Sequence, residues 1–304
     1  MAEAVVRSWR TVNGLLLLDK PSGCSSNAAL QKARRLFSAR KAGHTGSLDP
    51  IASGLLPVCF GEATKLCSHL LDSDKRYEVL IRLGVETDTC DREGSVIARA
   101  QVPSLDEGLI AQALAPFLGR IQQVPPMYSA LKHQGKRLYE LARQGLEIER
   151  KAREVEIFAI KLLGFDQNSL TLDVHCSKGT YIRSLAVDLG RLLGCGGYVE
   201  ELRRTAVGPF SLGQSYTLET LAACADDRER LNLLRPMDEM VLHLPAIHFD
   251  EDQSMRLNQG QAVDLVDQPH QGWARLYDAA QRFMGLGEAS EDGRLAPRRV
   301  FNLD

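Results

Sequence analysis

One segment constrains the fold of this chain of 304 residues more than any other does. It covers residues 43–61 and reads GHTGSLDPIASGLLPVCFG. Its four glycines permit backbone turns with positive φ and the close approach of a ligand. Pro50 fixes a turn directly after Asp49 and favours an extended conformation at the aspartate. We predict a tight, non-helical loop that holds one carboxylate in a defined direction. The simpler alternative is an Asp-Pro turn that only joins two elements.

The charge that precedes Asp49 favours a functional loop over a plain turn. Residues 20–48 contain six basic side chains and no acidic one, so Asp49 is the first carboxylate after a cationic run. Such a run would bring a negatively charged polymer to a single acid. Because a nearby opposite charge favours the charged form of a carboxylate, we predict that Asp49 is ionised. An ionised carboxylate can serve as a nucleophile or as a base.

The composition is that of an ordinary globular protein, with 44% hydrophobic and 25% charged residues, and the length suits two domains. The seven cysteines are scattered without a CxxC pair, which indicates reduced thiols rather than a disulfide framework or structural zinc. The apolar run at 15–18 is too short for a membrane span or a signal peptide. We expect a soluble, cytoplasmic protein that does not bind a membrane.

The formal net charge of −2 conceals an uneven distribution. Residues 220–304 contain nine arginines, no lysine and fifteen acids, a net charge of −6, which leaves +4 on the rest of the chain. Residues 1–219 are therefore the candidate for nucleic-acid binding. Residues 220–304 are not, at least through their net charge.

Hydrophobic periodicity predicts a succession of strands and helices. Apolar runs and period-two patterns predict strands at 14–19, 76–84, 154–165, 170–176 and 198–204. Helical spacing predicts helices that begin at Ser25 or Ser26 and that cover 63–71, 177–194 and parts of 217–234. A capping box of Ser104 and Glu107 predicts a further helix, which extends to about residue 118. Beyond residue 245 the runs are short and separated by turns, which indicates a small all-β domain.

Residues 124–153 form a second unusual stretch. Two prolines lie near its start, and between residues 132 and 153 it carries seven basic and three acidic side chains. Tyr128, His133 and Tyr139 lie in the same stretch. Because cations neutralise phosphates and aromatic rings stack on unpaired bases, we predict an RNA-binding arm that is inserted in the fold. A solvated amphipathic helix is the alternative.

The motif GHTGSLDPIASGLLPV resembles the catalytic loop of the bacterial tRNA pseudouridine-55 synthases, and the motifs LDKPSG, DKRYEV and KGTYIR agree with that family. The resemblance implies an α+β fold, in which helices flank a mixed, mainly antiparallel sheet. It implies a catalytic domain at 1–245, with the RNA-binding insertion at about 124–153, and a PUA-like all-β domain at 246–304. It also implies that the protein isomerises uridine 55 in the T loop of tRNA to pseudouridine after the base is flipped out.

The resemblance also implies roles for individual residues. Asp49 would be the essential acid, Arg183 its ion-pair partner, and Tyr77 the ring that stacks on the flipped base and takes the C5 proton. A phenol with its ordinary pKa of about 10 is a poor base, so this last role requires local help. Substrate binding is implied for six more residues: His44, Lys20, Leu202, Gly43, Thr45 and Tyr181. For His44 the alternative is a loop histidine with no role in RNA binding.

Ten basic residues near the loop and in the arm are predicted to contact the RNA backbone: Arg34, Arg35, Arg40, Lys41, Lys132, Lys136, Arg137, Arg143, Lys151 and Arg153. The partner implied is the T stem-loop of tRNA, with no obligatory protein partner, and we expect a monomer. The isomerisation exchanges no electrons and donates no group, so no cofactor is expected. The sequence agrees, because it has no P-loop, no dinucleotide fingerprint and no HExxH motif. The acids at 88–93 do not fit a calcium loop, and we predict no metal site.

Two other functions compete with this one. A non-catalytic module that binds or folds tRNA would explain the basic arm, although pure binding gains little from an acid among cations. A metal-dependent nuclease or phosphotransferase could use Asp88, Asp91 and Glu93, but no second acidic motif supports it. Two assays distinguish these alternatives. Formation of pseudouridine without an added cofactor would contradict the non-catalytic module, and activity in the presence of EDTA would contradict the metal-dependent enzyme.

Overall fold

The computed structural model describes residues 8–129, 131–265 and 270–302. The strands are β1 (Gly14–Lys20), β2 (Ala42–His44), β3 (Ser53–Phe60), β4 (Lys75–Leu83), β5 (Val85–Thr87), β6 (Val96–Arg99), β7 (Gly119–Gln123), β8 (Lys132–His133), β9 (Lys136–Arg137), β10 (Arg153–Phe165), β11 (Ser169–Cys176), β12 (Gly197–Val207), β13 (Phe210–Ser211), β14 (Ala246–His248), β15 (Val263–Asp264), β16 (Gly272–Tyr277), β17 (Phe283–Ala289) and β18 (Arg294–Val300). The α-helices are α1 (Ser26–Leu36), α2 (Cys67–Leu71), α3 (Glu107–Leu114), α4 (Leu138–Ala142), α5 (Ile182–Leu192), α6 (Leu218–Ala223), α7 (Asp227–Leu231) and α8 (Glu251–Asn258). Within these ranges, every helix is too short or too polar to cross a bilayer.

A nine-stranded sheet forms the larger part of the fold. Its strand order is β1-β3-β12-β4-β11-β10-β7, with β2 paired to β3 and β13 paired to β12. The pair β3–β12 is parallel, and the other pairs of this sheet are antiparallel. The predicted α+β class, with a mixed and mainly antiparallel sheet flanked by helices, is therefore confirmed.

Strand β4 lies near the middle of this sheet and shows how the period-two pattern becomes a core. Val79, Ile81 and Leu83 point to one side and are almost fully buried. Tyr77 belongs to the same alternate row, where its neighbours are Val174 on β11 and Arg204 on β12. The pattern that builds the core thus delivers Tyr77 to the edge of that core.

Helix α5 lies against β12 because a glycine permits close packing. A Cβ atom on Gly190 would lie only 2.2 Å from the carbonyl carbon of Gly196, so a side chain at this position would force the helix away. Leu185, Ala186 and Leu189 of α5 are completely buried in the core under the sheet. This packing fixes the first turn of the helix, which carries Arg183, against the sheet.

The insertion at 124–153 contains a short hairpin, β8–β9, followed by α4. Leu138 and Leu141 are buried, so the helix has an apolar inner side as well as a basic outer surface. Arg150 donates a hydrogen bond from Nη1 to the Pro125 carbonyl at 3.3 Å, which links the two ends of the insertion.

The last part of the chain forms a separate five-stranded sheet of order β14-β16-β17-β18-β15. This confirms the predicted C-terminal β-structure, but the sheet is accompanied by α8, which the sequence analysis missed. The helix has eight residues and is capped by Asp250, whose carboxylate accepts from the Gln253 amide at 2.8 Å. Two turns are too few for helical periodicity to stand out. The division into domains at residue 245 stays a prediction.

The predicted capping box at the start of α3 is wrong. Asp106, rather than Ser104, is the N-cap, and its carboxylate accepts from the Leu109 amide at 2.8 Å. The helix also ends at Leu114, earlier than predicted, and a 3₁₀ turn with Pro116 follows it. Proline lacks the N–H that would continue the helical hydrogen bonds.

Candidate active site

A cavity of about 320 Å³ opens where the 46–49 loop, β4, β12 and the start of α5 meet. Five of the predicted site residues line it: Asp49, Tyr77, Tyr181, Arg183 and Leu202. Its volume is at the lower end of the range for small-ligand sites. The cavity can therefore accept a single nucleobase, whereas a folded RNA must remain outside.

The loop that carries Asp49 is held by buried hydrogen bonds from the start of α1. Ser26 donates from Oγ to the Leu48 carbonyl at 3.0 Å, and the same Oγ accepts from the Leu48 amide at 2.7 Å. On the other side of the aspartate, Ser22 donates from Oγ to the Ile51 carbonyl at 2.7 Å. These two serines fix the backbone on both sides of the carboxylate.

Asp49 and Arg183 form a close ion pair. Arg183 Nε lies 2.9 Å from Asp49 Oδ2, and the arginine side chain is 3% exposed while the aspartate is 38% exposed. The Nε–H is not directed at a hydrogen-bond acceptor, so the contact is an ion pair rather than an aligned hydrogen bond. Arg183 is instead oriented by two carbonyl oxygens, those of Thr89 at 3.1 Å and Tyr128 at 2.7 Å.

A second carboxylate, which the sequence analysis did not place in the site, shares the same guanidinium. Asp91 Oδ2 lies 3.7 Å from Arg183 Nη1, and the Asp91 side chain is 7% exposed. Its Oδ1 accepts from the Thr89 hydroxyl at 2.6 Å and from the Glu93 amide at 3.1 Å. Asp91 belongs to the acidic turn that the sequence offered only as a weak metal site, so sequence position gave no signal of this contact.

Burial is the main reason why the pKa of Asp49 lies above its ordinary value, and the negative charge of Asp91 raises it further. The positive charges of Arg183 and Lys20 lower this pKa but do not overcome burial. The accessible surface of Asp49 opens into the cavity, where protein groups replace part of its hydration. The sequence shows the nearby cations that favour the ionised form of Asp49, but not the burial that raises its pKa.

Tyr77 lines the cavity as a half-buried side chain. Burial raises the pKa of its phenol, and the positive charge of Arg204 opposes that rise. The net direction is upward, so the RNA-free site holds Tyr77 as a neutral phenol. Arg204 is a second residue that the sequence analysis did not identify.

Tyr181 is positioned by a buried glutamine. Gln123 is 2% exposed, accepts from the Tyr181 amide at 2.7 Å and donates to the Tyr181 carbonyl at 3.0 Å. These two bonds attach the residue before α5 to the end of β7. Leu202, on β12, contributes an apolar part of the cavity wall.

The other predicted substrate-binding residues lie around the cavity and do not line it. Gly43 and His44 belong to β2, and His44 Nδ1 is buried with no hydrogen-bond partner among the described residues. Burial and the charge of Arg204 lower the pKa of His44, which favours the neutral ring. Thr45 is fully buried, and its hydroxyl also has no partner in the described part of the chain. Lys20 is fully buried and donates to the carbonyls of Pro21 at 2.9 Å and Cys24 at 2.7 Å.

The basic residues near the loop differ in how far they are engaged within the protein. Arg34 donates to the carbonyls of Ala39 and Arg40, each at 2.9 Å, and its guanidinium lies 4.5 Å from the centre of the Trp9 ring. Arg40 donates from Nε to the Trp9 carbonyl at 3.0 Å. Arg35 and Lys41 are exposed. The contacts of these four residues with RNA stay predictions.

In the arm, all six predicted RNA-backbone residues are exposed: Lys132, Lys136, Arg137, Arg143, Lys151 and Arg153. Arg137 and Arg143 lie over the ring of Tyr139, at 5.8 and 5.6 Å from its centre. The arm therefore presents a basic surface that includes an aromatic ring. Its role in RNA binding stays a prediction.

Three family models match the chain in succession. The model of the TruB family pseudouridylate synthase N-terminal domain matches residues 34–182. The tRNA pseudouridylate synthase B C-terminal domain matches residues 183–242, and the C-terminal model of pseudouridine synthase II TruB matches residues 245–301. The three matches together cover most of the chain.

Curated relatives and a solved structure agree with these matches. The chain is 53% identical to tRNA pseudouridine synthase B of Nitrosococcus oceani, over 95% of this chain and 95% of that protein. It is 54% identical to the protein of the same name from Aromatoleum aromaticum, over 96% of this chain and 94% of that protein. Its fold is similar to a chain in the structure of an H/ACA RNP bound to a substrate RNA containing 2′-deoxyuridine. The TM-score is 0.71 and the identity 23%, with 95% of this chain and 85% of that chain covered.

Proposed function

The chain belongs to the TruB family of pseudouridylate synthases, and we propose that it isomerises uridine 55 in the T loop of tRNA to pseudouridine. The names of the curated relatives support tRNA as the substrate. The observation that carries the proposal is the ion pair of Asp49 and Arg183 in a cavity that Tyr77 also lines. One anchored carboxylate and one aromatic ring meet in a space of the size of a nucleobase.

The size of the cavity requires the target base to leave the RNA stack. Extrusion of a base costs a few kcal/mol, which contacts with the flipped base and with the RNA backbone must offset. Tyr77 offers a planar surface for the extruded uracil, and Leu202 offers an apolar wall. The ring of His44 is partly exposed near the loop, so the displaced nucleotide can contact it, whereas Thr45 is fully buried.

Asp49 supplies the reactive oxygen in its ionised form. The carboxylate either attacks the substrate and is released when the C5–C1′ bond forms, or removes the C2′ proton and returns it at that stage, and both steps require that it has lost its own proton. Arg183 stabilises that form, because its positively charged guanidinium lies at ion-pair distance. The carbonyls of Thr89 and Tyr128 hold the guanidinium in place when substrate enters.

The end of the reaction is a proton exchange at the base. The N1–C1′ bond breaks, the base turns and a C5–C1′ bond forms. The C5 proton then moves to a Tyr77 oxygen that has given its own proton to solvent. The C5–H electron pair restores the C5–C6 double bond, and N1 takes a proton from solvent. Atoms and electrons balance without a redox partner or an activated donor, so we propose a cofactor-free reaction.

The test is the substitution Asp49→Asn with an unmodified tRNA transcript and no added cofactor. We expect the parent protein to form pseudouridine at position 55 and the variant to form none, because an amide cannot act as nucleophile or base. tRNA binding should persist, since the change leaves the basic surface intact, and a filter-binding assay checks this.

A variant that still makes product would contradict the role of Asp49. A parent that binds tRNA but yields no product would instead favour the non-catalytic RNA-binding module. Product at another uridine, mapped along the whole transcript, would overturn the assignment to position 55 alone.

A further inference from the structure

Arg204, on β12, lies between β3, which follows the loop that carries Asp49, and β4, which carries Tyr77. In the sheet it stands opposite Tyr77 of β4 on one side and opposite Gly54 of β3 on the other. A Cβ atom on Gly54 would approach the Arg204 carbonyl oxygen to 2.3 Å, and Gly54 has a φ of 101°. Both facts require glycine there. Arg204 is thus in direct backbone contact with the Asp49 segment and with the Tyr77 strand.

The side chain of Arg204 reinforces that junction. Its Nε donates to the Leu55 carbonyl at 2.7 Å, and its Nη2 donates to the Gly46 carbonyl at 3.1 Å. These two carbonyls bracket the segment that contains Asp49. The guanidinium also lines the cavity together with Tyr77, which is its direct cross-strand neighbour on β4. One planar group therefore contacts both ends of the loop inside the cavity that Tyr77 also lines.

The charge of Arg204 is deeply buried and lacks an anionic partner in the described part of the chain. The side chain is 1% exposed. Two other arginines near this site pair with carboxylates: Arg183 with Asp49 and Arg203 with Asp19. A buried charge without a counter-ion is costly, so the guanidinium would be stabilised by a negative charge that forms beside it.

We propose that Arg204 is a positioning residue for the isomerisation, which holds the Asp49 segment against Tyr77 and stabilises the Tyr77 oxygen when it is negatively charged. The proposal rests on the function proposed above, in which that oxygen receives the C5 proton of the substrate. The guanidinium transfers no proton to the substrate and acts only through its hydrogen bonds and its charge. The direction in which it moves the Tyr77 pKa, downward against the effect of burial, agrees.

The test compares Arg204→Gln and Arg204→Lys with the control Arg203→Gln. Arg203 is the next residue in β12, its side chain is 40% exposed, and it contacts Asp19 and Ser53 rather than the cavity. Single-turnover rates are measured with tRNA that carries either hydrogen or deuterium at C5 of uridine 55. An ultraviolet titration of each protein, with the signal of its Tyr77→Phe counterpart subtracted, gives the ionisation of Tyr77.

We expect Arg204→Gln to reduce the single-turnover rate by about 100-fold, which is within the range for loss of acid–base assistance. The rate should acquire a deuterium isotope effect larger than that of the parent, because removal of the C5 proton becomes the slow step. Tyr77 should titrate at higher pH in this variant. Compared with Arg204→Gln, the variant Arg204→Lys should recover part of the lower Tyr77 pKa, since lysine keeps the positive charge. It should recover little of the rate, since lysine lacks the planar guanidinium that donates to both carbonyls. Arg203→Gln should behave as the parent.

A slower Arg204→Gln variant with an unchanged isotope effect and an unchanged Tyr77 titration would overturn the proposal. That result would indicate a general structural defect, which slows the reaction without making removal of the C5 proton the slow step. An unchanged rate would overturn it as well. A parent protein that makes no pseudouridine would instead refute the proposed function, and the two failures are therefore distinguishable.

Discussion

At the scale of single residues, the site is built around one guanidinium that faces two carboxylates. Arg183 contacts Asp49 at 2.9 Å and Asp91 at 3.7 Å. Together the two carboxylates and the guanidinium carry one net negative charge. The two carboxylates repel each other, which makes ionisation of both less favourable. Asp91 is thereby a means of raising the pKa of Asp49 while Arg183 fixes its direction. A base with a raised pKa accepts a proton more readily than an ordinary aspartate does.

This arrangement predicts the acid limb of the pH–rate profile. The pKa of Asp49 is raised, so its active, ionised form is lost as the pH falls through a value above the ordinary value for aspartate of about 3.9. Single-turnover rates measured across acidic pH should show this limb. Asp91→Asn removes the like charge and should move the limb to lower pH. A limb that stays in place or moves upward would contradict the electrostatic role of Asp91.

The residue scale also shows what can be predicted from sequence. Asp49, Tyr77 and Arg183, which come from motifs far apart in the chain, line one cavity, and their catalytic roles stay predictions. Asp91, Gln123 and Arg204 were missed. Their contacts arise from strand register and loop packing, which bring a polar group to a partner distant in sequence. No local pattern distinguishes such a residue from a solvated one.

At the scale of elements, helix α1 both supports the core and holds the loop that carries Asp49. Ser25 caps the helix by accepting from the Ala28 amide at 3.1 Å. The next residue, Ser26, is 3% exposed and binds both backbone groups of Leu48. The sequence predicted a helix that starts at one of these serines. It could not separate their two tasks, because both are common at helix starts.

The two serines therefore form a matched pair of substitutions. Ser26→Ala removes both bonds to Leu48 and leaves its amide buried, which should lower the free energy of unfolding by about 1–3 kcal/mol and slow the single-turnover rate. Ser25→Ala removes only the cap and should lower the free energy of unfolding by about 1 kcal/mol with no effect on the rate. Chemical denaturation and rapid-quench kinetics measure the two quantities. Equal rates for both variants would show that the Leu48 contacts do not position Asp49.

At the scale of the whole molecule, positive charge and the cavity belong to the same part of the chain. The exposed cations of the arm lie in the region of net positive charge, and the five-stranded sheet lies in the region of net charge −6. Charge of this kind governs how strongly a protein binds a phosphate backbone and how strongly that binding depends on salt. Composition alone could indicate this asymmetry, whereas the hairpin and helix of the arm required the structure.

The arm should therefore dominate the salt dependence of tRNA binding. Replacement of Lys132, Lys136 and Arg137 by glutamine removes three exposed cations and should reduce the slope of log affinity against log salt by about three. The triple variant Arg294→Gln, Arg298→Gln and Arg299→Gln, in the five-stranded sheet, is the control and should change the slope little. Equal effects of the two variants would contradict a binding surface centred on the arm.

The small sheet at the end of the chain also completes the interior of the large one. Phe301 and Leu286 belong to the same apolar cluster as Leu15 and Leu66, and Lys65 donates from Nζ to the Val300 carbonyl at 2.9 Å. The two sheets therefore pack against a common apolar cluster and are not connected by a flexible linker alone. Cleavage of the chain between the two sheets would expose apolar surface to solvent on both fragments. We therefore expect the acidic C-terminal region to contribute to folding even where it does not contact nucleic acid.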